Sequence, residues 1–345
     1  PQACITAMHK AVDEMSKAET FHGYGPEQGY DFLIEAILKN DFASRGISLS
    51  PTEIFINDGA KSDTGNIGEV LRWDNSMGVT DPIYPVYIDS NVMCGRSGEL
   101  GEDGKWSNVT YLPCTAENHF IPQIPDRRID IIYLCYPNNP TGVVYSAGTL
   151  TRMAEILTEK SKAFGHNIFL VSDEPYRDIA FDGKKVPYPA AFYPHTLTCF
   201  SFSKSLSLPG ERLGYVAVRP GCEGEEVLVD MMAQISRFTG HNCPPSIIQK
   251  ATAECLDVTS DLSVYETNMN LLYDKLTELG FEVERPGGTF YIFPKALEED
   301  ANAFCQKARE FDLLLVPSDT FGVKGYVRFA YCIDTEKVKR SLPAL

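Results

Sequence analysis

The sequence lacks the residue spacings that hold metals and the apolar runs that cross membranes. Its ten cysteines, at 4, 94, 114, 135, 199, 222, 243, 255, 305 and 332, form no C-x-x-C pair, and its six histidines make no H-x-x-x-H spacing, so zinc-type sites are not expected. Several cysteines, Cys135 and Cys199 among them, sit inside apolar strand-like runs, where a free thiol behaves as a small hydrophobe. The reading is of reduced structural thiols in a cytoplasmic protein. No apolar stretch is long enough for a membrane span and no signal peptide is read. There is no repeat, no low-complexity segment and no cluster of Lys or Arg, while the formal net charge is −16. Such a surface repels nucleic acid and anionic membrane. An anionic ligand must then be gripped by individual cations, which makes single Arg and Lys residues worth tracking.

What is present is an ordinary globular balance, 43% hydrophobic and 23% charged over 345 residues. That length exceeds what one core usually serves, so one large and one smaller domain are expected. Short apolar runs read as strands at Glu53–Asn57, Met77–Asp81, Val109–Leu112, Ile129–Tyr136, Asn167–Asp173, Leu197–Phe202 and Leu213–Arg219. Most lack alternation, as strands buried on both faces do. Helical patterns such as Asp31–Phe42 and Leu150–Phe164 lie between them. The alternation predicts an α/β fold, a mostly parallel sheet sandwiched by helices. After Pro245 the texture changes: a long helix over Val264–Leu279, a strand-and-turn region over Phe281–Phe293, a helix near Ala301–Phe311 and a strand near Gly325–Cys332. The expected division is 1–255 for the large domain, 256–280 for a connecting helix and 281–345 for a small α+β domain.

Ligands of open α/β sheets sit beyond the carboxyl ends of the strands, and four strand ends here carry polar groups. Ser201-Phe202-Ser203-Lys204, with Arg212 eight residues past the lysine, suits a nucleophilic lysine beside a phosphate gripped by hydroxyls and a guanidinium. The alternative is a surface lysine in a polar loop. Asp173, in Ser172-Asp173-Glu174-Pro175-Tyr176, follows an apolar strand, where a buried carboxylate needs a cationic partner. A pyridinium nitrogen would supply one, and Tyr176 would reach a ring hydroxyl. The alternative is an aspartate capping the next helix. Tyr136-Pro137-Asn138-Asn139-Pro140-Thr141-Gly142 marks a rigid turn of the kind that carries cis peptide bonds and would aim the Asn139 amide. Asp58-Gly59-Ala60-Lys61-Ser62-Asp63 links a strand to a helix; it reads equally as a phosphate cradle or an ordinary tight turn, and it lacks the P-loop spacing.

Taken together, Asn-Pro-Thr-Gly, Asp-x-x-Tyr and Ser-x-x-Lys with its downstream Arg resemble the class I/II, fold-type I aminotransferases over nearly the whole chain. The resemblance implies pyridoxal 5′-phosphate as cofactor, with Lys204 bonded to it and then moving the proton between substrate Cα and cofactor C4′. It implies Asp173 on the ring nitrogen, Asn139 and Tyr176 on the ring oxygen, and Tyr84 stacked on the ring. Ser201, Ser203, Arg212 and the Ala60–Lys61 backbone would hold the phosphate. Arg328 would hold the substrate α-carboxylate, with Asn139 beside it. Tyr24 would reach the neighbouring subunit's phosphate, which implies a homodimer with shared sites.

The first ~140 residues resemble the LL-diaminopimelate aminotransferases, enzymes of lysine biosynthesis, through Tyr24–Tyr30, Asp58–Asp63, Asp81–Tyr87 and Asn91–Met93. That likeness puts Glu27 near the distal amino group of the substrate, a sensible partner for an ammonium; as a bare residue Glu27 reads equally as an exposed helix-start acid. The second half departs at Asp173-Glu174-Pro175-Tyr176, at Lys204–Arg212 and at Arg237-Phe238-Thr239-Gly240. Those segments resemble aspartate- or aromatic-type aminotransferases, so a mosaic joined near Asn-Pro-Thr-Gly is the expectation. The family's leading arm is expected to be missing before Pro1, with cofactor binding but weak turnover as the consequence. The substrates expected are an amino acid and a 2-oxo acid, LL-diaminopimelate and 2-oxoglutarate first. An aspartate or broad-specificity aminotransferase, a C–S β-lyase and a non-catalytic cofactor-binding regulatory module remain as alternatives.

Overall fold

The computed structural model describes residues 1–345. Ten strands form in chain order: β1 Ile54–Asn57, β2 Met77–Asp81, β3 Val109–Pro113, β4 Ile131–Cys135, β5 Phe169–Asp173, β6 Thr196–Ser201, β7 Gly214–Val218, β8 Tyr291–Ile292, β9 Val316–Pro317 and β10 Val327–Ala330. The helices are α1 Gln2–Glu14, α2 Asp31–Ile37, α3 Ala60–Val70, α4 Val86–Met93, α5 Ala147–Phe164, α6 Phe202–Ser205, α7 Glu225–Phe238, α8 Ser246–Ala253, α9 Leu262–Glu278, α10 Ala301–Arg309 and α11 Thr335–Ser341. None is long and apolar enough to cross a membrane.

Strands β1 to β7 make one sheet in the order β1-β7-β6-β5-β4-β2-β3. Pairings among β2 to β6 are parallel, and β7 runs against its neighbours β6 and β1. This is the expected mostly parallel sheet, and its apolar strands are buried along their length, as in β4, whose five residues are all buried. One core cluster lies on one face, from Val79, Val171 and Val216 through α7 and α9 to Phe329 and Val338. On the other face, α1, α2 and α8 pack over Ile54, Phe200 and Tyr215, and α5 packs over Leu134 and Leu170. The smaller C-terminal part is a three-stranded antiparallel sheet, β8-β10-β9, with α10 and α11.

Two elements differ from the sequence reading. The helix expected over Asp31–Phe42 ends as an α-helix at Ile37, and Leu38–Phe42 widen into a π-turn. The wider turn lets Asp41 face inward, where it accepts from Tyr215 at 2.5 Å and Arg177 at 2.9 Å. The strand region over Phe281–Phe293 shrinks to Tyr291–Ile292, because Pro286-Gly287-Gly288 bends against Gly142 and Ile179 instead of pairing in a ladder.

Candidate active site

The carboxyl ends of β1, β4, β5 and β6 and the start of the reversed β7 meet at one edge of the sheet, as four strand ends in the sequence suggested. A cavity of about 330 Å³ opens there. It is lined by Ala60, Lys61, Tyr84, Asn139, Asp173, Tyr176, Ser201, Ser203, Lys204, Arg212 and Arg328, all expected site residues, and by Cys135, Pro175, Pro209 and Tyr291. Larger surface hollows exist elsewhere, among them one of about 580 Å³ beside Trp106, but they gather none of these groups.

At its floor Asp173 is buried at the last position of β5. Its Oδ2 accepts the Tyr87 hydroxyl at 2.5 Å, while its Oδ1 has no partner. Burial pushes this carboxyl up to about 6, against the pull of the Tyr87 hydrogen bond. A buried carboxylate with one filled and one free oxygen fits a ring N–H⁺. Tyr87 stacks on Tyr133 at 5.3 Å and meets Tyr84 edge-on at 5.6 Å, so the aromatic wall and the carboxylate are held as a unit.

At one end lies a cradle. Gly59 caps α3 with φ +112, and its N–H donates to Asn57 Oδ1 at 2.8 Å. A Cβ at Gly59 would lie 2.9 Å from Arg212 Nη2 and 3.4 Å from Ser201 Oγ. Backbone N–H groups of a helix start, a hydroxyl and a guanidinium thus converge on one point, as an anion site requires. Ser201 and Ser203 share a hydrogen bond of 2.7 Å. Gly214 pairs with both Asn57 and Ser201, and a Cβ there would lie 2.8 Å from Gly59 Cα, so glycine is what lets the strands close behind the cradle.

Lys204 sits between these ends on the short helix α6, its ammonium 5.5 Å from the Phe290 ring centre. Burial lowers its pKa, with the Arg212 and Arg328 charges adding to the effect and Cys332 opposing it. At the opposite wall Arg328 donates to Asn139 Oδ1 at 2.9 Å and stacks on Tyr291 at 4.2 Å and Phe321 at 4.8 Å. Asn139 lies within a turn with cis peptide bonds before Pro137 and Pro140, braced by Asn138 Oδ1 accepting from Thr141. Tyr176 is buried with its ring edge-on to Phe290 and Tyr291.

Two expected residues lie outside this cavity in their own chain. Tyr24 is 95% exposed, and Glu27 pairs with Arg237 at 2.9 Å on the surface. The sequence reading assigned no role to Tyr87, Tyr291 or Asp63. Tyr84, just before α4, and Tyr87, in its first turn, are three residues apart, a spacing that can bring two rings to one face. Asp63 lies wholly buried in the first turn of α3, and no donor meets either of its oxygens in good hydrogen-bond geometry. An unpaired carboxylate in such a place costs roughly several kcal/mol, more than the ~2 kcal/mol that a helix start returns at best. Burial, then Asp58 and Asp173, push its pKa well above the ordinary value, with Asn57 opposing.

The family model "Aminotransferase class I and II" matches residues 1–345. An LL-diaminopimelate aminotransferase of Bacteroides fragilis is 47% identical over 349 residues, 95% of this chain and 83% of the relative. One from Parabacteroides distasonis is 41% identical over 99% of this chain and 87% of its own length. A crystal structure of an aminotransferase from Eubacterium rectale superposes with a TM-score of 0.90 at 35% identity, covering all of this chain and 85% of that one. Thermus thermophilus aspartate aminotransferase with maleate gives 0.84 at 26%, covering 100% and 87%. The chain belongs to the class I and II aminotransferases. It is a transaminase of fold type I whose cofactor is pyridoxal 5′-phosphate. Its likeness to the LL-diaminopimelate enzymes runs well beyond the first ~140 residues, into the half where the motifs depart.

Proposed function

We propose that the protein transfers an amino group between LL-diaminopimelate and 2-oxoglutarate in the cytoplasm. The observation that carries the reading is the 47% identity to an LL-diaminopimelate aminotransferase across 95% of the chain. We take the domain division as 1–255, 256–280 and 281–345, with α9 joining the two parts.

Within this reading each wall of the cavity has a task. Gly59, Ala60 and Lys61 backbone, Ser201, Ser203 and Arg212 bind the cofactor phosphate. The ionised Asp173 holds the ring nitrogen protonated, and Asn139 and Tyr176 hold the ring oxygen, with Tyr84 on the ring face. The protonated ring supplies an electron sink for charge developing at the substrate Cα. Lys204, its pKa lowered, would hold the cofactor at rest and, as a free amine, would move a proton between the substrate Cα and the cofactor C4′. Arg328 grips the α-carboxylate in a bidentate fork, exchanging its bond to Asn139 for the substrate. Tyr24 and Glu27 serve the site of a second copy in a homodimer, Tyr24 at the phosphate and Glu27 at the distal ammonium.

Visible absorption of the cofactor-loaded protein during titration tests the substrate. LL-diaminopimelate should convert the bound cofactor to its amino form, and aspartate should not. Conversion by aspartate alone would overturn the assignment in favour of an aspartate aminotransferase.

A further inference from the structure

Asp63 takes no part in the contacts described above, yet it lies beneath them. It is on the face of α3 turned to the sheet, wholly buried, and no donor meets either carboxyl oxygen in good hydrogen-bond geometry, though the Asn57 amide lies close enough to favour its charged form. The elements packed on α3 are β1, β5, β6, β7, α4 and α7. The charged and titratable groups from them and their loops whose field links to it are Asp58, Asp173 and the Cys199 thiol, with the Asn57 amide beside it. Arg96 lies against α3 at Gly68 but bonds to Glu69, and His241 faces Asp58 at 3.2 Å; neither donates to Asp63. The charges that act on it most are Asp58 and Asp173, both acidic, and the phosphate would add a further anion at the amino end of the same helix. Asp173 must be ionised to hold the ring nitrogen. A negative charge on Asp63 would oppose both in an interior that screens poorly, and the exposed Lys61 and Arg212 are directed to the cavity, not to Asp63.

We propose that Asp63 is a positioning residue that must keep its proton for the cofactor to bind, so that Asp173 alone carries charge beneath the ring while α3 offers its amino end to the phosphate. Protonation and cofactor binding are then reciprocally linked. The bound cofactor strengthens the hold of Asp63 on its proton, and loss of that proton in alkali weakens cofactor affinity. The inference concerns cofactor binding and is independent of which amino acid is the substrate, so failure of the diaminopimelate test leaves it standing.

The test uses the full chain freed of cofactor and 4′-deoxypyridoxine 5′-phosphate, which keeps ring nitrogen, ring oxygen and phosphate but forms no bond to Lys204. Its affinity is measured by fluorescence for the wild type and for Asp63→Asn, a neutral side chain of the same shape, from about pH 6 to about pH 10. The titrations of the ligand and of Asp173 are shared, so they cancel in the ratio of the two affinities. That ratio should be level at the acid end and then rise in favour of Asp63→Asn, by about tenfold per pH unit at most. A ratio that stays level throughout overturns the proposal. Should Asp63→Asn not fold, infrared spectra of the wild type decide. At about pH 9, where Asp173 near 6 and Glu174 near 7 have lost their protons, a protonated-acid carbonyl band that grows on binding the ligand supports it. No such band in the ligand-bound protein overturns it.

Discussion

One oxygen of Asp173 is taken by Tyr87 and the other is free, and this asymmetry sets what a change at each neighbour does. Tyr87→Phe removes a hydrogen bond to a charged group, about 1.5–3 kcal/mol, and lets the Asp173 pKa rise further. Cofactor affinity, read by absorbance titration, should fall roughly tenfold to a hundredfold; unchanged affinity would remove Tyr87 from the site. Lys204 gives a prediction in pH. Because burial, then the Arg212 and Arg328 charges, hold its pKa below the ordinary 10.5, the amine is uncharged over a range where a free lysine is still protonated. The rate of covalent capture of pyridoxal phosphate should rise with pH to a midpoint below 10.5. Arg328→Met removes one like charge and should move that midpoint up. A wild-type midpoint at or above the ordinary value would contradict the geometry.

At the scale of elements, the end of β5 works as a two-faced anchor. Asp173 looks into the cavity, and on the other side Glu174 and Arg177 enter a buried network. Arg177 donates to Asp41 at 2.9 Å, to Tyr215 at 2.9 Å and to Glu174 at 3.3 Å, and lies 4.2 Å from the Phe200 ring centre. Arg177→Met would leave Asp41 and Glu174 without their cation. Urea unfolding should show a loss of roughly 3–5 kcal/mol, and a loss under about 1 kcal/mol would mean the network is dispensable. Glu174 is pushed up from 4.5 to about 7 chiefly by burial, with Arg177 opposing, so the stability tied to its protonated form falls as pH rises between those values. Much of this architecture was legible because strands buried on both faces read as apolar runs ending in polar residues, which put Asp58, Asn139, Asp173 and Ser201 at one edge. What stayed hidden were partners far apart in the chain. Tyr87 meets Asp173 across 86 residues and Arg177 meets Asp41 across 136, distances at which no periodicity operates. The π-turn at Leu38–Phe42 was hidden for the same reason, since what widens it is Asp41 reaching those partners.

For the whole molecule, the net charge of −16 means that both the cofactor phosphate and the substrate carboxylates approach an unfavourable field. Arg212 and Arg328 meet that field locally, at opposite walls of one cavity. Tyr24, the tyrosine expected to reach a neighbouring subunit's phosphate, is 95% exposed in its own chain, and Glu27 pairs with Arg237 at the surface. If a second copy supplies Tyr24, each site is built from two chains, and a closed two-fold dimer holds two such sites. Lys204→Ala and Tyr24→Ala would each disable a homodimer, by different routes. Mixing the two variants by joint refolding or co-expression makes hybrid dimers in which one site has both its lysine and its partner's tyrosine. Activity should return to about a quarter of the wild-type level, since half the dimers are hybrids with one intact site of two. Were Tyr24 to serve its own chain, every site in the mixture would lack one residue or the other, and no activity would return; that outcome would refute the shared-site dimer while leaving the geometry of the single chain unchanged.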